Sequence, residues 1–309
     1  MIISISRRTD IPAFFSEWFY NRIEDGYFMV RNPMNIHQVS KVTVTPQNAE
    51  CLVFWTKNPS FSFIENLPKL DEKGFNYYFQ FTITSYAQDI EKSVSRKTEI
   101  IEKFQKLSNQ IGKEKVIWRY DPIILNKKYN FDYHIKYFDY IAEKLSAYTE
   151  KVIISFVDCY SKIKTRLQEN EITELSQEEM RKLGIALKQI AEKHNLKIES
   201  CSETIDFDDI GIPHGHCIDG ELINRICQRN FIFKKDKTQR KECGCVTSVD
   251  IGSYNTCRHN CAYCYATWNG IIPNSIDNSS PLLGSVLSNE DKVTERKIPV
   301  LKEHNPELF

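Results

Sequence analysis

The chain has no apolar run of about 18 residues, the length a membrane-spanning helix needs, so it reads as a soluble protein without a membrane partner. Net charge is also missing, since 41 Lys and Arg stand against 41 Asp and Glu. That balance argues against a protein that coats nucleic acid or a membrane surface by charge alone, although a local patch can hide in the average. The start, MIISISRRTD, lacks the basic, apolar and small-residue succession of a secretory signal and points to the cytoplasm. Paired CxxC knuckles of the zinc-ribbon kind are absent too.

What is present is a sizeable core. At ~100–200 residues per domain, 309 residues with 41% apolar and 12% aromatic content make one large or two modest domains. Six short apolar runs read as strands: Ile2–Ser6, Leu52–Trp55, Tyr77–Ile83, Val116–Tyr120, Val152–Val157 and Leu196–Ser200. Most are too continuously apolar for a half-exposed sheet and suit strands buried on both faces. Between them the period becomes helical. Phe15, Trp18, Phe19 and Ile23 share one face, and Ile101, Phe104, Leu107 and Ile111 another. A third stripe runs Ile135, Phe138, Ile141, Ala142, Leu145, and a fourth Met180, Leu183, Leu187, Ile190, Ala191, opened by a Ser176/Glu179 capping box.

Alternating strand and helix predicts an α/β fold: a partial (β/α)6 TIM-like barrel over residues 1–233, with the first and sixth strands at its edges. Such sheets bind ligands at the carboxyl ends of their strands. There the sequence places Arg7, Arg8, Thr9 and Asp10; Thr56, Lys57 and Asn58; Thr84; Arg119, Asp121 and Pro122; Asp158; and Cys201 with Glu203. Together they suit the rim of a pocket, while Asp10 before Ile11-Pro12 also suits a helix cap. Arg7 and Arg8 have the chemistry to bind an anionic group of a substrate.

From Lys234 the character changes. A basic linker, Lys234–Glu242, leads into a cysteine-rich segment and then a Ser-, Asn- and Pro-rich tail, so that residues 234–309 read as a cluster-binding segment and tail packed on the barrel. Of ten cysteines, five lie between positions 243 and 264. A large chain with no export signal does not suggest a disulfide framework, so clustered thiols read as metal ligands. Cys51, Cys159 and Cys227 read as small core residues. The sharpest motif is Cys257-Arg-His-Asn-Cys261-Ala-Tyr-Cys264. Spacings of four and three bring three thiolates into one volume, and three thiolates on a [4Fe–4S] cluster leave one iron without a protein ligand.

This CxxxCxxC, with Tyr263 before the third cysteine, resembles the cluster motif of the radical S-adenosylmethionine superfamily. There the motif usually follows the first strand; here it follows the sixth. The chain looks like an uncharacterised bacterial family whose C-terminal cluster mirrors that motif, carried also by ISRRTDIPAF, FWTKNP and WRYDPI. The resemblance implies that Cys257, Cys261 and Cys264 hold a [4Fe–4S] cluster whose open iron takes the amino and carboxylate groups of S-adenosylmethionine. One electron then splits the sulfonium, giving methionine and a 5′-deoxyadenosyl radical that abstracts hydrogen. It also implies an electron donor such as ferredoxin or flavodoxin and a small-molecule or peptide substrate.

No Gly-Gly-Glu follows the second strand. Thr56-Lys57-Asn58 stands there and resembles the Thr-Lys segment of spore-photoproduct-lyase-like enzymes, which keeps nucleic acid open as a partner despite the neutral charge. On this reading Lys57, Arg119 and Asp121 are catalytic. Thr56, Lys57, Asn58, Arg119 and Tyr263 bind cofactor, and Arg7, Arg8 and Asp10 bind substrate. Cys201, Cys217, Cys243 and Cys245 suffice for an auxiliary [4Fe–4S] cluster. Two other classes compete: an iron–sulfur electron-transfer or sensing protein that does not cleave S-adenosylmethionine, and a zinc-stabilised nucleic-acid-binding protein with His259, His214 or His216 as extra ligands.

Overall fold

The structure is a computed structural model that describes residues 1–268, 276–297 and 301–303. In chain order its strands are β1 (Ile2–Ile5), β2 (Tyr27–Asn32), β3 (Asn35–Thr43), β4 (Cys51–Thr56), β5 (Tyr77–Thr82), β6 (Val116–Ile123), β7 (Lys151–Phe156), β8 (Lys197–Ser200), β9 (Phe231–Ile232), β10 (Ser248–Asp250), β11 (Lys292–Glu295) and β12 (Lys302–Glu303). Seven of them form one sheet in the order β10-β1-β4-β5-β6-β7-β8, every neighbouring pair parallel. The fold is mixed α/β, and its sheet is open between β10 and β8.

All six expected strands are present and adjacent in chain order. The expected edge is not. β10 pairs outside β1, with Ile3 opposite Val249, so β1 is an interior strand. Three residues, Ser-Val-Asp, are too short and polar a run to stand out as a buried strand. A hairpin of β2 and β3, extended by β11, was also not foreseen.

The two faces of the sheet differ, and the alternation along each strand decides how. Ile3, Ile5, Leu52, Phe54, Phe79, Phe81, Trp118, Tyr120, Val152 and Ile154 pack into the main core with the helices. Ile2, Cys51, Val53, Tyr78, Ile117 and Ile153 point to the other face, where Leu222 and Ile223 of helix Gly220–Cys227 cover them. Followed toward the carboxyl ends, that second face turns polar in steps of two: Ser4 and Ser6, Trp55 and Lys57, Gln80, Arg119 and Asp121, Ser155.

Most stripe positions are buried as their spacing predicts, but Ile111, Met180 and Ile190 are only partly buried and Ile135 is 36% exposed. Helix Gln177–Lys193 opens on the expected capping box of Ser176 and Glu179. Cys51 is buried and Cys227 half-buried, but Cys159, expected in the core, is exposed, because β7 ends at Phe156 and the chain has left the sheet by then. Part of the tail lies against helix Ser16–Asp25, where Trp18 donates to Ser280 O at 2.8 Å and Arg22 to Ser279 O at 3.0 Å. Of the tail, 269–275, 298–300 and 304–309 lie outside the described residues. Among the described residues no helix is long and apolar enough to cross a membrane.

Candidate iron–sulfur site

The carboxyl ends of β1, β4, β5, β6, β7 and β8 surround a cavity of about 350 Å³. Cys257, Cys261 and Cys264 line it, and so do Cys201, Cys217, Cys243 and Cys245. The seven cysteines singled out from the sequence therefore share one chamber. His214 and His216 do not line it; the His216 ring bonds instead to Gly244 O at 2.5 Å.

The cysteine loop is stitched into place from several directions. Ala262 N donates to Ile90 O at 2.8 Å and Ser93 N to His259 O at 3.0 Å, so the loop pairs antiparallel with residues 90–93. Arg166 donates to Cys264 O at 2.6 Å from below. Asn255 and Asn260 take φ of 59° and 54°, a region asparagine tolerates better than most side chains. Gly252 is required by close approach: a Cβ there would lie 2.1 Å from Ser6 Oγ. β10 is itself anchored by Asp250, which accepts from Ser4 Oγ at 2.9 Å, Ser6 Oγ at 2.5 Å and Arg7 N at 2.8 Å.

Glu91 is the central acid of the site, and sequence reasoning missed it. It is 1% exposed and accepts from Lys57 Nζ at 2.7 Å, from Thr84 Oγ1 at 2.6 Å, and from Lys97 and the Tyr263 hydroxyl. Burial works against its charge, but Lys57 and Lys97 outweigh that and hold the carboxyl well below the usual range. Nothing in Asp89-Ile90-Glu91-Lys92 distinguishes this acid from a surface one. Lys57 is consequently a partner of Glu91 rather than a free cation.

Asp10 acts as the cap its context suggests, accepting from Ala13 N at 3.0 Å, and it also accepts from Lys57 N at 2.7 Å. Its carboxylate bonds His259 Nε2 at 2.8 Å. A carboxylate only accepts, so Nε2 donates and Nδ1 is left for other use. Arg8 lies over the Tyr254 ring and donates to Gly252 O at 3.3 Å. Arg119 pairs with Asp121, which also accepts from Ser155. Asn58 does not reach the cavity; it donates to Ser95 Oγ at 3.0 Å and accepts from Lys103 at 2.7 Å.

Among the described residues, four buried polar atoms of cavity-lining side chains have no hydrogen-bond partner: Arg7 Nη2, Thr9 Oγ1, Thr56 Oγ1 and His259 Nδ1. Unpaired buried polar groups are rare in folded proteins, so four on residues lining one cavity suit a polar occupant there. The thiols are under a similar demand. Burial pushes the Cys257 thiol up to about 12 and Cys261 well above its usual value, with neighbouring thiolates adding to both. A cationic iron centre is the kind of occupant that offsets this cost. Among the described residues no three His, Cys, Asp or Glu side chains converge closely enough to clasp a single metal ion.

Glu203 also lines the cavity, accepting from Phe156 N at 2.8 Å, and burial raises its carboxyl to about 8. Tyr160 and Arg240 stand at the mouth, where Arg240 pairs with Asp158.

Among curated proteins none matches the chain. Two solved structures of the carboxyl transferase domain of Rhizobium etli pyruvate carboxylase, both with pyruvate, resemble it weakly. One, a variant, has a TM-score of 0.23 at 14% identity and the other 0.24 at 12%, each over 74% of this chain and 46% of that one. The chain thus spans less than half the length of those structures. Over residues 2–266 the sequence matches the model of a protein family described as a domain of unknown function, DUF1848, and the chain belongs to that family.

Proposed function

We propose that this protein is an iron–sulfur enzyme of the radical S-adenosylmethionine type, with its cluster motif displaced to the C-terminal part of the chain. The observation that carries the reading is the meeting of Cys257, Cys261 and Cys264 with unpartnered polar groups in one cavity at the strand ends. The residues fit the cofactor: three thiols that ligate iron, and beside them donors and acceptors with nothing to bond. When bound, the cluster supplies one electron for cleavage of the sulfonium and one iron free of protein ligands.

The chain's own groups do the positioning. Arg8 and Arg7 bring positive charge to the β1 side, where a carboxylate is at home. Thr9 and Thr56 offer hydroxyls, and His259 Nδ1 accepts from an ammonium or hydroxyl donor. Of these groups, Thr56 stands where a Gly-Gly-Glu segment is missing. Lys57 and Glu91 keep the loop and Tyr263 in register beneath the sulfurs. Cys201, Cys217, Cys243 and Cys245 hold a second cluster. The Thr56-Lys57 segment supports kinship with spore-photoproduct-lyase-like enzymes, and a ferredoxin or flavodoxin is the class of donor such chemistry calls for.

The test is anaerobic purification with iron and sulfide counts, followed by electron paramagnetic resonance of the reduced protein. The expected result is a cluster signal that changes on adding S-adenosylmethionine, with 5′-deoxyadenosine formed under dithionite. Cys261→Ala loses the response and Cys227→Ala keeps it. A cluster signal indifferent to S-adenosylmethionine leaves an electron-transfer protein instead, and a colourless protein holding one zinc ends the iron–sulfur reading.

A further inference from the structure

The second group of sulfurs lies against an unusual concentration of guanidinium. Cys201 Sγ is 3.1 Å from Cys217 Sγ, and Cys217 and Cys243 both interact with Cys245. Ile218 N donates to Cys245 Sγ at 3.3 Å and Arg119 Nη1 to Cys217 Sγ at 2.5 Å. Two arginines stack on one indole: the guanidinium carbons of Arg7 and Arg119 each lie 5.2 Å from the Trp55 ring. Cys245, Cys217 and Cys243 all act electrostatically on Arg7.

Asp121 is the ion-pair partner of Arg119, and each nearby acid also serves other donors. Asp121 is shared between Arg119 and Ser155. Asp250 is occupied by Ser4, Ser6 and the backbone of Arg7 and Gly252. Among the described residues Arg7 Nη2 is buried with no hydrogen-bond partner. Arg7 faces Asp250 and the sulfur group together, with Cys245 and Cys217 acting on it more strongly than Asp250 does. Four thiolates around a [4Fe–4S] core in its oxidised state leave a net double negative charge, and reduction adds another. Two fixed guanidinium groups beside that centre favour its reduced form, because charge and hydrogen bonding at the sulfurs set the potential.

We infer that Arg7 and Arg119, spaced by Trp55, are the charge partners of a fully cysteine-ligated cluster at Cys201, Cys217, Cys243 and Cys245, and that they raise its reduction potential. This rests on the iron–sulfur reading above and deepens it. It gives Arg7 a role other than anchoring a substrate carboxylate, and it makes the four-cysteine centre closed to substrate while the three-cysteine centre stays open.

The test is a redox titration of the full-length protein, followed by electron paramagnetic resonance, with iron counted in every variant. Cys245→Ala lowers the iron content by one cluster and removes one signal, the one insensitive to S-adenosylmethionine. Arg7→Gln keeps the iron and moves that same signal to a more negative potential. The expected change is about tenfold in the oxidised-to-reduced ratio at fixed poise, ~59 mV for a one-electron couple. Arg7→Lys restores most of it, and Arg119→Gln acts in the same direction where it folds. Unmoved potentials in Arg7→Gln at full iron content overturn the inference while leaving the proposed function standing. Iron content unaffected by Cys245→Ala overturns it as well. A wild-type protein that binds no iron removes both.

Discussion

At the residue scale the site depends on buried charge that is paired rather than avoided. Glu91 is surrounded by Lys57, Lys97, Thr84 and Tyr263, and its removal strands two lysines beneath the cysteine loop. Breaking one partner of a buried ion pair typically costs about 3–5 kcal/mol. Glu91→Gln is therefore expected to lower the unfolding free energy from urea denaturation by an amount in that range and, on the proposed iron–sulfur reading, to weaken iron retention; an unfolding free energy matching wild type would show that the network is not structural. His134 makes a different case. Its ring bonds the Tyr120 hydroxyl at 2.8 Å and Ile124 O at 2.7 Å, fully buried, and burial lowers its pKa from 6.5 to about 4. As pH falls, the unfolded chain takes up this proton first. The stability from the neutral ring is thus present above about 6.5 and lost as pH drops toward 4, worth about 3 kcal/mol at most. His134→Gln should flatten the pH dependence of unfolding across that window, and identical slopes in the two proteins would remove His134 as its source.

At the element scale the short strand β10 matters more than its length suggests. It carries the chain from the four-cysteine region to the cysteine loop, and it adds a seventh strand beside β1. Its hold is the Asp250 carboxylate, bonded to two hydroxyls and two backbone amides. Hydrogen bonds to charged groups contribute about 1.5–3 kcal/mol each in favourable cases. Asp250→Asn keeps the shape but turns part of the acceptor into a donor. It should destabilise the chain by about 2 kcal/mol and raise amide hydrogen exchange in residues 248–264 before the rest of the sheet; uniform exchange would argue against β10 as the local anchor. By contrast, Ser176→Ala at the capping box of helix Gln177–Lys193, remote from the cavity, should cost about 1 kcal/mol in urea denaturation and leave iron content unchanged.

At the scale of the whole molecule, the cavity is where distant parts of the chain converge. Its wall draws on residues from 6–10, 55–57, 119–122, 155–160, 201–217 and 239–266. An occupant that ligates cysteines from the last two of these segments ties the C-terminal part to the sheet, so its binding free energy becomes folding free energy. On the proposed iron–sulfur reading, iron removal by an anaerobic chelator should lower the thermal midpoint and expose residues 234–264 to proteolysis first. Equal midpoints with and without iron would mean that the cavity is fully formed without an occupant.

The local sequence determined a good deal. Continuous apolar runs announced six strands because burial on both faces leaves no polar position, and helical stripes announced their partners because one face must meet the core. The spacing of Cys257, Cys261 and Cys264 singled out three thiols on one short loop, and all three line the cavity. Only the tertiary structure decided how the polar residues divide their work. Lys57 and Asn58 are adjacent, yet one reaches Glu91 under the loop and the other turns to Lys103. Glu91 carries no local signal at all, and Asp10 meets His259 across 249 positions. β10 takes its place by pairing with β1, not by its own three residues. Partners far apart in sequence are chosen by where the sheet brings them, and a one-dimensional pattern holds no record of that distance.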